Sequence, residues 1–241
     1  KASENKIPTL PIYIVEPDYW QQPFANRRHW HFIYDSLLEL REDLKKLDQS
    51  LVIRVGSVID IFQRLLIEYR IKNIYAHEET GNQWTFDRDI QVQKWCKKNN
   101  ILLEESPTNG VVRGLKNRSE WSKIRKIRIY NTLIETPLSL IPINGIEEGL
   151  IPQKSDPLFK NDFKGKVQKG GRKEALTMLK SFLNERGKGY LFNISAPGKS
   201  EIHSSRISPH LTWGTISSKE VQNFINIKRE KLLDGEQKVW K

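Results

Sequence analysis

Residues 204–217 read Ser-Ser-Arg-Ile-Ser-Pro-His-Leu-Thr-Trp-Gly-Thr-Ile-Ser, and this is the most informative stretch of the 241-residue sequence. Hydroxyl-bearing side chains crowd the predicted start of a helix, Ser208 to Trp213. Pro209 fits the first turn, where its missing N–H costs nothing. Free backbone N–H groups and serine hydroxyls at a helix start bind anions, and Arg206 adds a fixed positive charge. The stretch therefore predicts a phosphate or diphosphate site, with ordinary helix capping by serine as the alternative.

Helical patterns lie on both sides of this stretch. From Arg172, apolar residues recur at helical spacing, and Gly187 and Gly189 are expected to end that helix. A further helix is predicted from Ser218 to about Leu233, and the preceding serine fits simple capping. The C-terminal part of the chain is therefore predicted to be all helical.

The first half of the chain alternates between short apolar segments and amphipathic segments, which predicts strands and helices in turn. Four strands joined by helical crossovers form a parallel, Rossmann-like sheet, and ligands bind beyond the carboxyl ends of such strands. The third strand ends in the turn His77 to Gly81, the natural place for a site in this half. The predicted strands are 10–15, 51–55, 71–76 and 101–103. The predicted helices run from a cap at Asn26 to about Leu47, from Val58 to Tyr69, and along Val92, Trp95 and Cys96.

This alternation stops after about residue 106, and a proline-rich region without clear periodicity follows. The expected organisation is an α/β domain at 1–106, an interdomain connection at 107–169 that packs over the surface, and a helical domain at 170–241. Within the connection, the segment Arg113 to Arg128 carries seven basic residues and a single acid, Glu120. It is either a nucleic-acid contact or a solvated helix face.

The composition is that of a globular protein with a strongly basic balance. There are 40 Lys and Arg against 29 Asp and Glu, a formal net charge of +11. This excess favours a polyanionic partner, although a basic surface without nucleic acid is the alternative. Cys96 is the only cysteine, which fits a reducing, cytoplasmic compartment. We expect no metal site, because the histidines show no zinc-type spacing, and neither a membrane span nor a secretory signal.

The string at 204–217 resembles the flavin-phosphate motif of the photolyase/cryptochrome family, whose form is Thr/Cys/Ser-Ser-Arg-Leu-Ser-Pro-Tyr/His-Leu-x-Trp/Phe-Gly-x-Leu-Ser. The resemblance extends upstream through Gly170-Gly171-Arg172 to Tyr190. In the first half, Tyr-Ala-His-Glu-Glu-Thr-Gly at 75–81, Phe-Ile-x-x-Ser-Leu at 32–37 and Arg-x-Leu-x-x-Arg-x-x-Trp at 113–121 resemble further family segments. In order, these matches cover about 10–221.

The resemblance implies an α/β domain followed by the start of an all-α FAD-binding domain. It implies a function as well: blue-light-driven, flavin-dependent repair of pyrimidine dimers in damaged DNA, that is, a photolyase acting as a carbon–carbon lyase. A blue-light receptor of cryptochrome type without repair activity is the alternative, and a non-functional fragment of a shortened gene is a third reading. An antenna chromophore of folate or deazaflavin type is expected on the α/β domain, with the turn at 77–81 as a candidate neighbour or as a plain loop.

The resemblance also assigns flavin-binding residues. Ile207 stands where the family usually has Leu, a mild change if its role is through the backbone. Tyr190 matches a flavin-contacting tyrosine, and its alternative is an ordinary core or surface tyrosine. The residues expected to bind FAD are Tyr190, Ser204, Ser205, Arg206, Ile207 and Ser208.

The sequence departs from the family pattern at both ends. Nothing before Leu10 matches the family's first strand, with its Trp-Phe-Arg-x-Asp-Leu-Arg signature. The family positions that face the flavin, form the tryptophan chain and select cyclobutane or (6-4) lesions have no counterpart, and Trp213 and Trp240 are candidates only for packing. We therefore expect these residues alone to hold FAD weakly or not at all, and to be inactive.

Overall fold

The computed structural model describes residues 1–160, 163 and 165–232. The chain divides into two compact units. The first comprises Lys1–Pro107 and Glu135–Gln168, and the second comprises Thr108–Ile134 and the residues from Lys169 onward. The segment predicted as an interdomain connection is thus shared between the two units.

The first unit contains four strands and four helices among its described residues, preceded by a 3-10 turn at Ser3–Asn5. Asn26 caps the second helix as predicted, because its side chain accepts a hydrogen bond from the Arg28 N–H at 2.9 Å. In chain order the elements are β1 (Ile12–Val15), α1 (Pro17–Trp20), α2 (Arg27–Lys45), β2 (Val52–Val55), α3 (Val58–Glu68), β3 (Asn73–His77), α4 (Gln83–Lys98) and β4 (Leu102–Ser106).

The strands are parallel, as the crossovers predict, but they form two pairs rather than one continuous ladder. Ile12 of β1 lies opposite Val52 of β2, and Asn73 of β3 lies opposite Leu102 of β4. No ladder joins β1 to β3 among the described residues, since each hydrogen-bonds to a single neighbour. Both pairs nevertheless pack on α3 and α4 around one apolar cluster that includes Phe62, so they share one core.

A second core in this unit uses residues from the predicted connection. The Phe159 ring stacks on Trp30, with ring centroids 4.2 Å apart, and meets Trp20 edge-on at 4.8 Å. Phe159 and Ile151 are both buried. The expectation that 107–169 packs only over the surface is therefore wrong for this part, because its aromatic and aliphatic side chains fill a gap beside α2.

The second unit is helical. In chain order its elements are a 3-10 turn (Arg118–Glu120), α5 (Trp121–Tyr130), α6 (Arg172–Asn184), a 3-10 turn (Arg186–Gly189), α7 (Tyr190–Asn193), α8 (Pro197–His203), α9 (Ser208–Thr212) and α10 (Ser218–Glu230). Among its described residues, Ala175, Leu179, Ile207 and Ile216 form a small buried apolar core.

In this unit one predicted helix boundary differs from the structure and another agrees with it. Helix α6 ends at Asn184 rather than at Gly187, because Glu185 leaves helical geometry with φ −135° and ψ −64°. Ser217 caps α10 through a reciprocal capping box with Glu220, as predicted. The expected helix end at Leu233 and the packing position Trp240 lie outside the described residues. None of the helices in the described ranges is both long and apolar enough to cross a membrane.

Candidate functional site

The serine-rich stretch folds as a turn followed by the short helix α9. Ile207 occupies the N-cap position and Ser208 is the first helical residue, so no serine side chain caps this helix. Pro209 lies in the first turn, as expected. Helix α9 has only five residues, and so its dipole is weak. Any attraction for an anion at this place must come mainly from fixed charges and free N–H groups.

Arg206 provides one such charge, and its backbone is unusual. Its φ of 60° lies in the left-handed region, which a residue with a Cβ rarely adopts. The side chain is 39% exposed, and its Nη1 atom lies 3.9 Å from Glu201 Oε1, an exposed carboxylate. A solvent-screened contact at that distance binds weakly. The residue with this unfavourable backbone conformation is therefore also the one that places a cation directly before α9.

Arg186 holds this turn in place, and sequence reasoning did not identify it. Its guanidinium donates to the carbonyl oxygens of Ile202 at 3.1 Å, Ser204 at 2.5 Å and Ser205 at 3.4 Å. It also donates to the Met178 carbonyl at 2.9 Å and to Ser181 Oγ at 3.0 Å, both on α6. One side chain thus fixes the serine turn onto α6.

The two arginines lie close enough for their charges to interact. Burial lowers the pKa of Arg186, and the charge of Arg206 lowers it further. Two neighbouring guanidinium groups repel each other, and a bound anion would relieve that repulsion. This pair is the clearest electrostatic reason for a phosphate group to bind here.

The approach to the turn is also tightly packed. His203 Nδ1 lies 3.0 Å from the Arg186 carbonyl oxygen. A Cβ added at Gly189 would lie 2.9 Å from the His203 ring and 2.6 Å from the Asn193 amide. A side chain at Gly189 would therefore require the His203 and Asn193 side chains to move. The prediction that Gly189 ends α6 is wrong, because α6 ends at Asn184.

A cavity of about 840 Å³ opens beside the turn, between α6, α7 and α10. Its walls are mostly apolar, and three of the predicted flavin-binding residues, Tyr190, Ser205 and Ile207, line it. Ser204, Arg206 and Ser208 are not among its lining residues. The Tyr190 ring packs edge-on against Phe182 with centroids 5.8 Å apart, and the side chain is 38% exposed. A volume of this size suits a large organic ligand.

His210, in the middle of α9, is completely buried. Its Nδ1 atom lies 2.8 Å from Thr215 Oγ1. Burial lowers its pKa. Because the charged imidazole is disfavoured there, His210 acts as a packing residue that joins α9 to Thr215 within the same motif.

The turn at 77–81, where a site was expected in the α/β unit, belongs to an ionic network at the carboxyl ends of β1 and β3. Arg88 lies 3.1 Å from Glu16, 2.9 Å from Asp89 and 3.6 Å from Glu79. Glu79 also accepts a hydrogen bond from the Gly81 N–H. The charge of Arg88 at this edge is therefore already neutralised by several acids. Across the described residues, no group of His, Cys, Asp and Glu could hold a metal ion.

Comparison with known proteins identifies the family. The DNA photolyase family model matches residues 1–125, more than half of the chain. The chain belongs to the DNA photolyase family. The photolyase/cryptochrome resemblance carried by the sequence motifs is thereby confirmed.

Two curated relatives of the DNA photolyase family illustrate the breadth of the likeness. Blue-light photoreceptor PHR2 of Arabidopsis thaliana is 26% identical in an alignment 259 positions long, and the alignment covers 91% of this chain and 55% of that protein. Cryptochrome-1 of Spalax judaei is 26% identical in an alignment 242 positions long, and the alignment covers 86% of this chain and 39% of that protein. The chain thus spans about half the length, or less, of the curated relatives it matches.

Solved structures of photolyases share the fold. A bacterial class III photolyase from Agrobacterium tumefaciens has a TM-score of 0.76 at 19% identity, over 97% of this chain and 50% of that chain. An archaeal photolyase from Sulfolobus tokodaii, solved with two FAD molecules, has a TM-score of 0.61 at 19% identity, over 98% of this chain and 52% of that one. The expected fold class, a parallel α/β part followed by helices, is confirmed.

Proposed function

We propose that the protein is a flavin-dependent photolyase, a carbon–carbon lyase that uses blue light to split pyrimidine dimers in damaged DNA. The observation that carries the proposal is the turn at 204–206, where Arg186 fixes the backbone and Arg206 adds a second cation beside a large apolar cavity. A dinucleotide cofactor requires these two features together: cations for its diphosphate and an apolar space for its ring system.

FAD fits the residues that are present. We assign its phosphates to the turn formed by Ser204, Ser205, Arg206, Ile207 and Ser208, with Tyr190 bordering the adjoining cavity. When bound, FAD supplies the light absorption and the electron that splits the dimer. Arg186 keeps the turn in its binding conformation, and the arginine charges neutralise the diphosphate. Ile207 is buried in the core of the unit, so its contribution to the turn is through packing and backbone.

DNA is the proposed partner because the chain carries a formal charge of +11. Such a surplus attracts a phosphate backbone through counterion release. We propose a reducing, cytoplasmic location, since the single cysteine, Cys96, is buried and free. We propose the turn at 77–81 as the neighbour of a folate-type or deazaflavin-type antenna. Such an antenna could not use the Arg88 guanidinium as a free cation, because Glu16 and Asp89 already pair with it.

A light receptor without repair activity is the second candidate. It is favoured by the likeness to a relative named as a blue-light photoreceptor, which extends over 91% of this chain. Blue illumination of dimer-containing DNA with the full-length protein separates the two functions. A photolyase splits the dimers in light and leaves them unchanged in darkness, whereas a receptor shows flavin photoreduction without repair.

A further inference from the structure

We infer that the outward face of α5 is a contact surface for the phosphate backbone of duplex DNA, independent of any lesion. The inference rests on the proposed function for its choice of DNA as the partner. It concerns Lys123 and Lys126 on the helix, with Lys116 and Arg118 just before it, and we call these four residues the α5 basic surface.

Helix α5 uses some of its cations for its own structure. Arg128 donates to the Val111 carbonyl oxygen, and Arg125 lies over the Trp121 ring, 5.5 Å from its centroid. Trp121 Nε1 in turn donates to the Gly110 carbonyl oxygen at 2.9 Å. These contacts pin the loop before the helix, and so Arg125 and Arg128 have a structural explanation.

The α5 basic surface has no such explanation. All four side chains belong to exposed residues, and no carboxylate of the described residues lies within ion-pair distance of any of them. Residues 121–130 contain no Asp or Glu, and Glu120 at the N-cap, three residues before Lys123, does not form an ion pair with it. A solvated helix face normally intersperses acids three or four residues from its lysines. Here Lys123 and Lys126 are three residues apart and repel each other, which destabilises the helix unless an anion binds.

Lys123 is also unfavourably placed with respect to the dipole of α5. It lies in the first turn of α5, where the helix dipole is positive; Glu120 at the N-cap offsets part of that charge, but the turn itself contains no acidic residue. A lysine there is unfavourable for the helix by itself. Local physical chemistry therefore disfavours these charges, whereas a row of phosphates would stabilise both of them.

Duplex DNA fits this face better than a lipid surface does. Lys123, Lys126, Ile127 and Tyr130 follow the i, i+3, i+4, i+7 spacing of one helix face, and Ile127 and Tyr130 are 60% and 55% exposed. A helix that lies in a membrane separates its apolar and basic faces. Mixed lysine and tyrosine on one face instead suit backbone contacts, which carry no sequence information and set the position on the duplex.

The test compares two double variants of the full-length protein. Lys123→Gln with Lys126→Gln removes two cations from the α5 basic surface. Lys94→Gln with Lys97→Gln removes two exposed cations at the same spacing on α4 and serves as the control. Lys and Gln have similar helix propensities, so both variants should stay folded, and loss of the lysine repulsion should stabilise the α5 variant slightly. Binding to an undamaged duplex is measured by fluorescence anisotropy across a salt series, and light-driven dimer repair is assayed in parallel.

We expect the α5 variant to bind about tenfold more weakly at low salt, and the slope of log affinity against log salt to fall by about 1.8, with the control unchanged. Equal losses in both variants would overturn the inference, because net charge alone would then account for binding. Loss of binding to anionic lipid vesicles, with DNA binding intact, would overturn it as well.

The parallel repair assay separates this inference from the proposed function. If the wild type repairs dimers and the α5 variant binds and repairs equally well, the α5 surface is wrong and the photolyase function stands. If the α5 variant loses duplex binding but the wild type repairs nothing, the surface stands and the photolyase function fails.

Discussion

Replacing Arg186 tests whether one side chain prepares the phosphate turn. Its guanidinium makes five hydrogen bonds: to the carbonyls of Met178, Ile202, Ser204 and Ser205, and to Ser181 Oγ. Charge-assisted hydrogen bonds contribute about 1.5–3 kcal/mol each when well buried. Arg186 is only half-buried, and water can replace part of these bonds in a variant. We therefore expect Arg186→Met to lower the free energy of unfolding by about 2 kcal/mol.

The loss should appear in flavin binding too. Without Arg186, the two residues Ser204 and Ser205 must be ordered by the ligand, at about 1 kcal/mol each. A deficit of about 2 kcal/mol corresponds to roughly 30-fold weaker FAD binding. Arg186→Lys keeps the charge, but a lysine ammonium cannot donate to several carbonyl oxygens at once as the planar guanidinium does. We therefore expect its FAD affinity to fall nearly as far as that of Arg186→Met.

The assay is FAD titration into the flavin-free, full-length protein, followed by flavin fluorescence, alongside chemical unfolding. Arg70→Met is a matched control, because Arg70 is exposed and lies in the other unit. Wild-type FAD affinity in a folded Arg186→Met variant would refute the reasoning. Wild-type affinity in Arg186→Lys would refute the geometric part of it and leave charge alone as the cause.

Three further predictions concern backbone geometry and a buried histidine. Arg206→Gly should keep the free energy of unfolding within about 1 kcal/mol of the wild-type value, since glycine adopts the left-handed conformation freely. Its FAD affinity should fall about tenfold, and unfolding and flavin titrations measure the two effects. Gly149→Ala should cost about 3 kcal/mol, because a Cβ there would collide with the Ile53 carbonyl, whereas Gly145→Ala, with open space around it, should cost about 1 kcal/mol in the same unfolding assay. Burial lowers the folded pKa of His210 below its ordinary 6.5, so the unfolded chain binds the proton more readily and stability is lost as pH falls below about 6.5. In His210→Gln the free energy of unfolding should vary less between pH 7.5 and 5.5 than in the wild type. The same pH dependence in both proteins would contradict this.

Local patterns in the sequence were enough to place most elements. Asn26 caps α2, Ser217 caps α10 and the apolar stripe from Arg172 predicts α6, because each depends on neighbours within a few residues. The parallel direction of the strands is also predictable from the sequence, since strands joined by helical crossovers run parallel. Their division into two pairs depends on hydrogen bonds between distant segments, which periodicity does not encode.

The candidate site also depends on contacts between residues that are distant in the sequence. The motif at 204–208 predicts an anion site from local chemistry, but Arg186 acts on carbonyls 16 to 19 residues away. A basic residue just beyond a helix is ordinarily taken as a partner of the helix dipole, so its role was not visible in the sequence. Phe159 was missed likewise, because a proline-rich segment without periodicity gives no sign that one aromatic ring is buried against Trp30.

The most direct test of the account is dimer repair by the full-length protein under blue light, with its flavin absorbance recorded in the same preparation. We expect bound flavin, light-dependent restoration of dimer-containing DNA, no restoration in darkness, and reduced repair at limiting FAD in the Arg186→Met variant. A protein that binds flavin and is photoreduced but repairs no dimer would contradict the photolyase function. A folded protein that binds no flavin would contradict the phosphate site itself.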